Sequence, residues 1–500
     1  MNGRKRFWII AGILFFLQSG ADLKPQPDPS VKLSAELRSA LGQIRNPAER
    51  LRVWVYFRDK GVRGEAQLQQ SLAETRQALR ARSQWRRSKA RPETRLVDFE
   101  DIALYAPYTD QVRPLVFRIR AVSRWLNALS VEAAPDQVWA LSALDCVTSL
   151  DLVHSYRRSD ETAASSPGVT SAGQSRSSSD PIYGGSFDQL QQISVITLHQ
   201  QGFSGHGVLV CLLDVGFHTS HEVFRMANLV AQWDFVFGDG NVERNLADRN
   251  DYSDSHGTAT WSLLGGFRFG QLVGVAFGAD FILGKTEDDR SETPIEEDYW
   301  VAGIEWAESL GAEVVSSSLG YTDWYQFRDM DGRTAVTTKA ANRATSLGVV
   351  VVNAAGNERR NAWGHIIAPA DGYEVVAAGA VDSSNRIATF SSPGPTFDGR
   401  IKPEVCALGV GNWIADTEDD GTEIYSQGSG TSFATPLVGG VAALLLEAHP
   451  GWTPRLIRDA LMTTASNASS PNNDYGWGVV NAAAAANRPG PALIWKRKIR

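Results

Sequence analysis

Asp214, His256, Asn357 and Ser432 offer an acid, an imidazole, an amide and a hydroxyl, each standing where a short apolar run ends or a helix begins. Asp214 follows the run 208–213, and Asn357 closes Ala354-Ala355-Gly356-Asn357 after the run 349–352. His256 opens His256-Gly257-Thr258-Ala259-Thr260-Trp261, and Ser432 lies in Gly430-Thr431-Ser432-Phe433-Ala434-Thr435-Pro436. These are the parts of an acyl transfer: a hydroxyl nucleophile, a base to take its proton, an acid to orient the base and an amide to receive negative charge. Taken singly, Asp and Asn at strand exits form turns, and His or Ser at a helix start is more often a cap than a catalyst. The chemical reading rests on all four occupying such positions among small residues that permit close approach.

The elements needed to hold them can be read in outline. Leu437, Val438, Val441, Ala442, Leu444, Leu445 and Leu446 recur at roughly helical spacing, so Ser432 falls in the first turn of a buried helix. Unpaired N–H groups and the positive dipole end at that turn favour a group that develops negative charge. From about residue 181, apolar runs at 208–213, 281–283, 314–317, 349–352 and 375–378 are interleaved with helical stretches such as 300–310 and 334–347. Continuous apolar runs suit strands covered on both faces, so we expect an α/β domain with a doubly wound, mostly parallel sheet flanked by helices. Reactive groups in such a sheet gather at the carboxyl ends of the strands, where Asp214 and Asn357 fall.

A smaller α+β unit precedes the body, with strand-like 51–57, helical 64–88, a strand at 115–119, an unassigned stretch at 121–134, a helix at 136–144 and a strand at 147–153. The expected organisation is a leader at 1–21, this unit at 22–158, a linker at 159–180 dominated by Ser, Ala, Gly and Thr, the body at 181–487 and a basic tail at 488–500. Arg4, Lys5 and Arg6 followed by the apolar run 7–17 and then Ser19, Gly20 and Ala21 match a secretory signal peptide. That run is short for a bilayer, so we expect a secreted, periplasmic or extracellular protein with no membrane span in the mature chain.

The net charge of -7 divides unevenly: residues 22–180 hold 24 Lys/Arg against 19 Asp/Glu, and residues 181–500 hold 22 against 37. A basic front unit and an acidic body should attract each other. The basic excess is too small and dispersed for nucleic-acid binding. Cys146, Cys211 and Cys406 are too few for a disulfide framework or metal cluster, with a single Cys211–Cys406 bridge left open.

Asp214-Val215-Gly216, His256-Gly257-Thr258, Ala355-Gly356-Asn357 and Gly430-Thr431-Ser432-Phe433-Ala434-Thr435-Pro436 stand in the order of the subtilisin-like serine proteases, the subtilases of peptidase family S8, which this chain resembles over about residues 185–487. Ser318-Leu319-Gly320, Phe390-Ser391-Ser392-Pro393-Gly394-Pro395 and Lys402-Pro403-Glu404-Val405 are further matches. The resemblance implies a serine endopeptidase with Ser432 as nucleophile, His256 as general base and acid, Asp214 as its orienting acid and Asn357 as oxyanion donor. It implies that Ser318, Leu319 and Gly320 pair with an extended peptide substrate, and that Ala355 and Gly356, with Ala354, wall the pocket. It also implies that the front unit is a propeptide, a folding aid and intramolecular inhibitor of a zymogen, although its Arg-rich segment at 75–95 is unusual. Val215 replaces the common Thr or Ser after the acid, which predicts altered local hydrogen bonding rather than inactivity. No cofactor is required for this chemistry. Structural calcium is common in the family, with Asp239-Gly240-Asn241 or Asp288-Asp289 as conceivable oxygen sources. A binding protein on a silent protease scaffold is the alternative. A lipase or esterase is excluded by the order of the residues and the absence of Gly-x-Ser-x-Gly around Ser432.

Overall fold

The computed structural model describes residues 29–153, 155–156, 181–244, 254–287, 295–322, 325–417 and 422–489. The leader at 1–21, the linker at 159–180, Asp288-Asp289 and all but the first two residues of the basic tail lie outside the described residues.

The front unit is a four-stranded antiparallel sheet of β1 (Leu51–Phe57), β2 (Arg118–Ser123), β3 (Ala128–Ala133) and β4 (Val147–Leu152), in the order β2-β3-β1-β4. Alternation along β1 sends Val53, Val55 and Phe57 into a core with Leu129, Val131, Leu150 and Leu37, and sends Trp54 the other way. The unassigned stretch 121–134 is the β2–β3 hairpin, turning at Asn127 with φ 52. The strand expected at 115–119 instead begins at Arg118, because Arg113–Leu115 form a 3-10 turn. The single helix expected at 64–88 is two, α1 (Glu65–Ala78) and α2 (Ala81–Ala90), broken where Leu79 adopts an extended conformation.

The body is built on seven parallel strands: β5 (Leu209–Asp214), β6 (Asn228–Asp234), β7 (Asp280–Lys285), β8 (Val314–Ser317), β9 (Val350–Ala354), β10 (Val376–Val381) and β11 (Val405–Leu408). Their order is β11-β10-β9-β8-β5-β7-β6, with every neighbouring pair parallel. Alternation along β5 divides the core: Val210 and Leu212 face one side, and Leu209, Cys211 and Leu213 the other. The first side carries α3 (Ser255–Gly265), with Leu264 in its core. The opposite side carries α4 (Glu297–Leu310) and α5 (Val336–Ser346), through Trp300, Ile304 and Ala340. The long helix α6 (Thr431–Ala448) lies on the first side with Leu437, Val441 and Leu444 fully buried. It is apolar and long enough to cross a membrane, but 89% of that window is buried inside the protein.

All three cysteines are free, so no Cys211–Cys406 bridge forms. Cys211 and Cys406 lie on β5 and β11, four strands apart or roughly 19 Å, and they bury on opposite faces of the sheet.

The front unit docks on the α4/α5 side, and the expected charge attraction takes a defined form. Trp54 and Trp125 pack into the core beneath α4, and Trp54 Nε1 donates to Glu297 Oε1 at 3.3 Å. The Arg-rich segment is α2, whose Arg86 and Arg87 are fully buried against Glu308 of α4. Arg87 donates to Glu308 Oε1 at 2.8 Å and Oε2 at 2.9 Å, Arg86 pairs with the same carboxylate, and Arg124 reaches it at 3.2 Å. Arg82 and Lys89 each lie 2.9 Å from Glu313, and Arg120 lies 2.8 Å from Asp298. One arm runs the other way: Arg343 of α5 holds Asp98 and Asp101 of the front unit.

Candidate active site

β5 delivers Asp214 to the carboxyl edge of the sheet, and α3 places His256 beside it. The Nδ1 of His256 lies 2.6 Å from Asp214 Oδ1. The carboxylate is 1% exposed, and it also accepts from Val215 N at 2.8 Å and from Thr260 Oγ1 at 3.0 Å. Thr260 is one helical turn beyond His256, so both side chains project from the same face of α3 toward Asp214. Sequence reasoning missed Thr260, although the four-residue spacing from His256 was a usable signal. With Val215 buried and apolar, it is Thr260 that brings a hydroxyl to Asp214. Gly257 permits the approach: a Cβ there would stand 1.9 Å from the Gly216 carbonyl oxygen.

Ser432 occupies the first turn of α6 as expected, is 2% exposed, and has Phe433 beside it with its ring 5.9 Å from the His256 ring. Ser318, just beyond β8, holds it from the other side: Ser318 Oγ donates to the Ser432 carbonyl at 2.7 Å, and Ser432 Oγ donates to the Ser318 carbonyl at 3.3 Å. Leu319 comes next, its carbonyl accepting from Asn353 Nδ2 at 2.8 Å, and Gly320 packs against Ile367.

Asn357 succeeds Ala355 and Gly356 at the exit of β9, and Gly356 turns the chain there with φ 106. The Asn357 side-chain oxygen accepts from Thr431 N at 2.9 Å and Thr431 Oγ1 at 3.0 Å. Committing the oxygen to the start of α6 fixes the orientation of the amide. The structure therefore brings Asp214 to His256, and Ser318 and Asn357 to the head of the Ser432 helix.

A short strand next to α4 was not foreseen. Ile295–Glu296, at the start of α4, pair antiparallel with Ser155–Tyr156 at the end of the front unit, an added strand on the body. Two residues carry no periodic signal, which is why the sequence hid it. Among the described residues no three His, Cys, Asp or Glu side chains converge as a metal site would require. Asp239 spends one carboxylate oxygen on Asn241 N, at 2.9 Å, within its own turn.

The parallel sheet, the order of its helices and the preceding α+β domain define a subtilisin-like fold. Fervidolysin from Fervidobacterium pennivorans, described as a keratinolytic enzyme related to subtilisin, superposes with a TM-score of 0.61 at 21% identity, covering 89% of this chain and 62% of its own. The model of the Subtilase family matches residues 205–478, and that of the peptidase S8 propeptide domain of Bacteroidota matches residues 52–167. Subtilisin E of Bacillus subtilis (strain 168) is 34% identical over 302 residues, spanning 59% of this chain and 70% of that protein. Subtilisin of Bacillus pumilus is likewise 34% identical, with 97% of its length covered. M-protease of Shouchella clausii (strain KSM-K16) is 31% identical over 361 residues, spanning 72% of this chain and 79% of its own. The chain belongs to the subtilase family: it is a subtilisin-type serine peptidase carrying an S8 propeptide domain.

Proposed function

We propose that this peptidase is an exported endopeptidase made as an inhibited precursor, with Ser432 as nucleophile, His256 as base, Asp214 as the acid that orients it and Asn357 as oxyanion donor. The observation that carries the assignment is the 2.6 Å contact of Asp214 with His256 Nδ1, which fixes the proton on that nitrogen and turns Nε2 into the acceptor. His256 takes the proton of Ser432 as its Oγ attacks the peptide carbonyl, then gives it to the leaving amine. Asn357, with its oxygen committed to Thr431, donates through its nitrogen to the oxyanion together with the Ser432 N–H. Water hydrolyses the acyl-enzyme with the same base, so the reaction as proposed uses groups of this chain, the substrate and water.

The propeptide reading is supported by the docked front unit, which leaves the body through Ser155–Tyr156 paired as an added strand on Ile295–Glu296. Protein or peptide substrates are proposed to lie along the same edge, with Ser318, Leu319, Gly320, Ala355 and Gly356 lining the pocket beyond it. Export is supported by the basic, apolar and small-residue order of the first 21 residues.

A fluorophosphonate probe applied to the full chain after limited proteolysis of the linker should label Ser432 and nothing in a Ser432→Ala control. Absence of labelling in the cut wild-type chain would overturn the assignment.

A further inference from the structure

The end of β5 with its following loop and the start of α3 are joined twice, once through Asp214 and His256 and again through His218. At the second junction His218 N donates to Thr258 Oγ1 at 2.8 Å, and Thr258 N donates to the Asp254 carbonyl at 3.0 Å. Asp254 immediately precedes α3 and is completely buried. An aspartate there normally accepts from the first helical N–H groups, but the Asp254 side chain makes no such bond. Its carboxylate instead gathers three other segments. Arg244 Nε donates to Oδ1 at 2.9 Å, Thr417 Oγ1 donates to the same oxygen at 3.2 Å, and His218 Nδ1 lies 3.5 Å from Oδ2. The next residue repeats the pattern: Ser255 Oγ donates to Asp416 Oδ1 at 2.5 Å, and Ser426 Oγ donates to Asp416 Oδ2 at 2.9 Å.

Asp416 and Thr417 end one strand of the hairpin Asn412–Thr417/Glu423–Gly428, and the second strand runs through Ser426 to Gly428 and on into Thr431 and Ser432. Both residues preceding His256 are thus tied to the hairpin that leads into the nucleophile. We infer that Asp254 and Asp416 are positioning residues of the peptidase reaction, a carboxylate pair that clasps the start of the His256 helix to the segment delivering Ser432, with His218 as its third anchor. The inference rests on the proposed roles of His256 and Ser432.

His218 makes the clasp responsive to pH. Its hydrogen bond to Asp254, the largest cause, raises its pKa above the usual histidine value of 6.5 against a smaller opposing effect of burial. The charged groups that face it are Asp254, Glu423 at 3.9 Å and Glu243, which also raise it, and His221, whose ring lies 6.4 Å away. Arg244 stands behind Asp254, its Nε 2.9 Å from Oδ1. A raised folded-state pKa means that the His218–Asp254 attraction is fully present below the ordinary value and is lost as pH rises through the raised one.

The test uses the full chain cut in its linker and diluted until the front unit has separated at every pH, with kcat and KM for a peptide substrate then measured against pH. Asp254→Asn should lower kcat by about tenfold to a hundredfold with KM little changed, the range that an ångström of misplacement costs. Asp416→Asn should do the same in smaller measure. Wild-type kcat should fall on the alkaline side, and His218→Asn should remove that limb, leaving a flat plateau near the wild-type alkaline value. Unchanged kcat in Asp254→Asn, or an alkaline limb that persists in His218→Asn, overturns the inference. A lowered Tm with wild-type kcat and pH profile also overturns it, since that outcome describes a merely structural contact. Wild-type protein that takes no fluorophosphonate label marks failure of the proposed triad instead, and is thereby distinguished from failure of the clasp.

Discussion

Glu308→Gln removes one charge from the interface between propeptide and body while keeping the shape of the side chain. In the docked state Glu308 has no exposed surface and receives Arg86, both ends of the Arg87 guanidinium and Arg124. Those contacts hold its carboxyl down at about 2, with Arg86 the largest of the charges that offset the cost of burial. Deleting one partner of a buried ion pair costs about 3–5 kcal/mol, because the remaining charge stays desolvated. Arg86 keeps carbonyl acceptors on Leu347, Glu308 and Ala312, and Arg87 keeps Asp101. The lower end of the range therefore applies, about 3 kcal/mol, which is about 150-fold in affinity. Both partners are hydrated when apart, so the whole loss should appear in the dissociation constant of the cut complex. The assay is dilution of the linker-cleaved chain, following separation of the two pieces and the onset of peptidase activity. A dissociation constant within threefold of wild type would refute the view that this carboxylate holds the propeptide.

Thr260→Val removes a buried donor from Asp214 and should lower kcat about tenfold with little change in KM, since a hydrogen bond to a charged group is worth about 1.5 kcal/mol or more; steady-state kinetics decide it. Asn357→Ala should lower kcat by roughly 100-fold to 1000-fold while fluorophosphonate still labels Ser432 slowly, and wild-type turnover would refute the oxyanion role. Glu305 gives a pH-dependent hold: burial pushes its carboxyl up to about 7 from the ordinary 4.5, although Ser123 Oγ and the N–H groups of Arg124 and Trp125 oppose the rise. The docked form therefore binds a proton that the separated body releases. Its contribution to affinity is complete below about 4.5 and is lost as pH rises to about 7, by up to tenfold per pH unit. Glu305→Gln should flatten that slope in the dissociation constant.

The residues of the candidate site were legible because each is a chemically distinct type at the end of an apolar run or the start of a helix, and the runs themselves are continuous because the sheet is covered on both faces. The features that stayed hidden depend on neighbours far along the chain. β3 is buried on its own core side and also contributes Ala128 to the core beneath α4, so it lacks the alternation that marks a one-sided strand. β6 lies at the edge of the sheet, where Asn228, Gln232 and Asp234 are tolerated and no apolar run announces a strand. The break at Leu79 has neither Gly nor Pro to signal it, and the helix beyond it docks on Glu308 and Glu313. The Asp254 cluster was invisible because its carboxylate collects partners from positions 218, 244 and 417.

The total burial of Arg86 and Arg87 would set what happens to the propeptide were it to separate. While the front unit is docked, this dibasic pair presents nothing that a trypsin-like peptidase could grip. Once the unit leaves, the pair has lost Glu308, and cutting between the two arginines would divide the very helix that made the attachment. Rebinding would then require two fragments to arrive together, so a single cut there would turn a reversible separation into a one-way step.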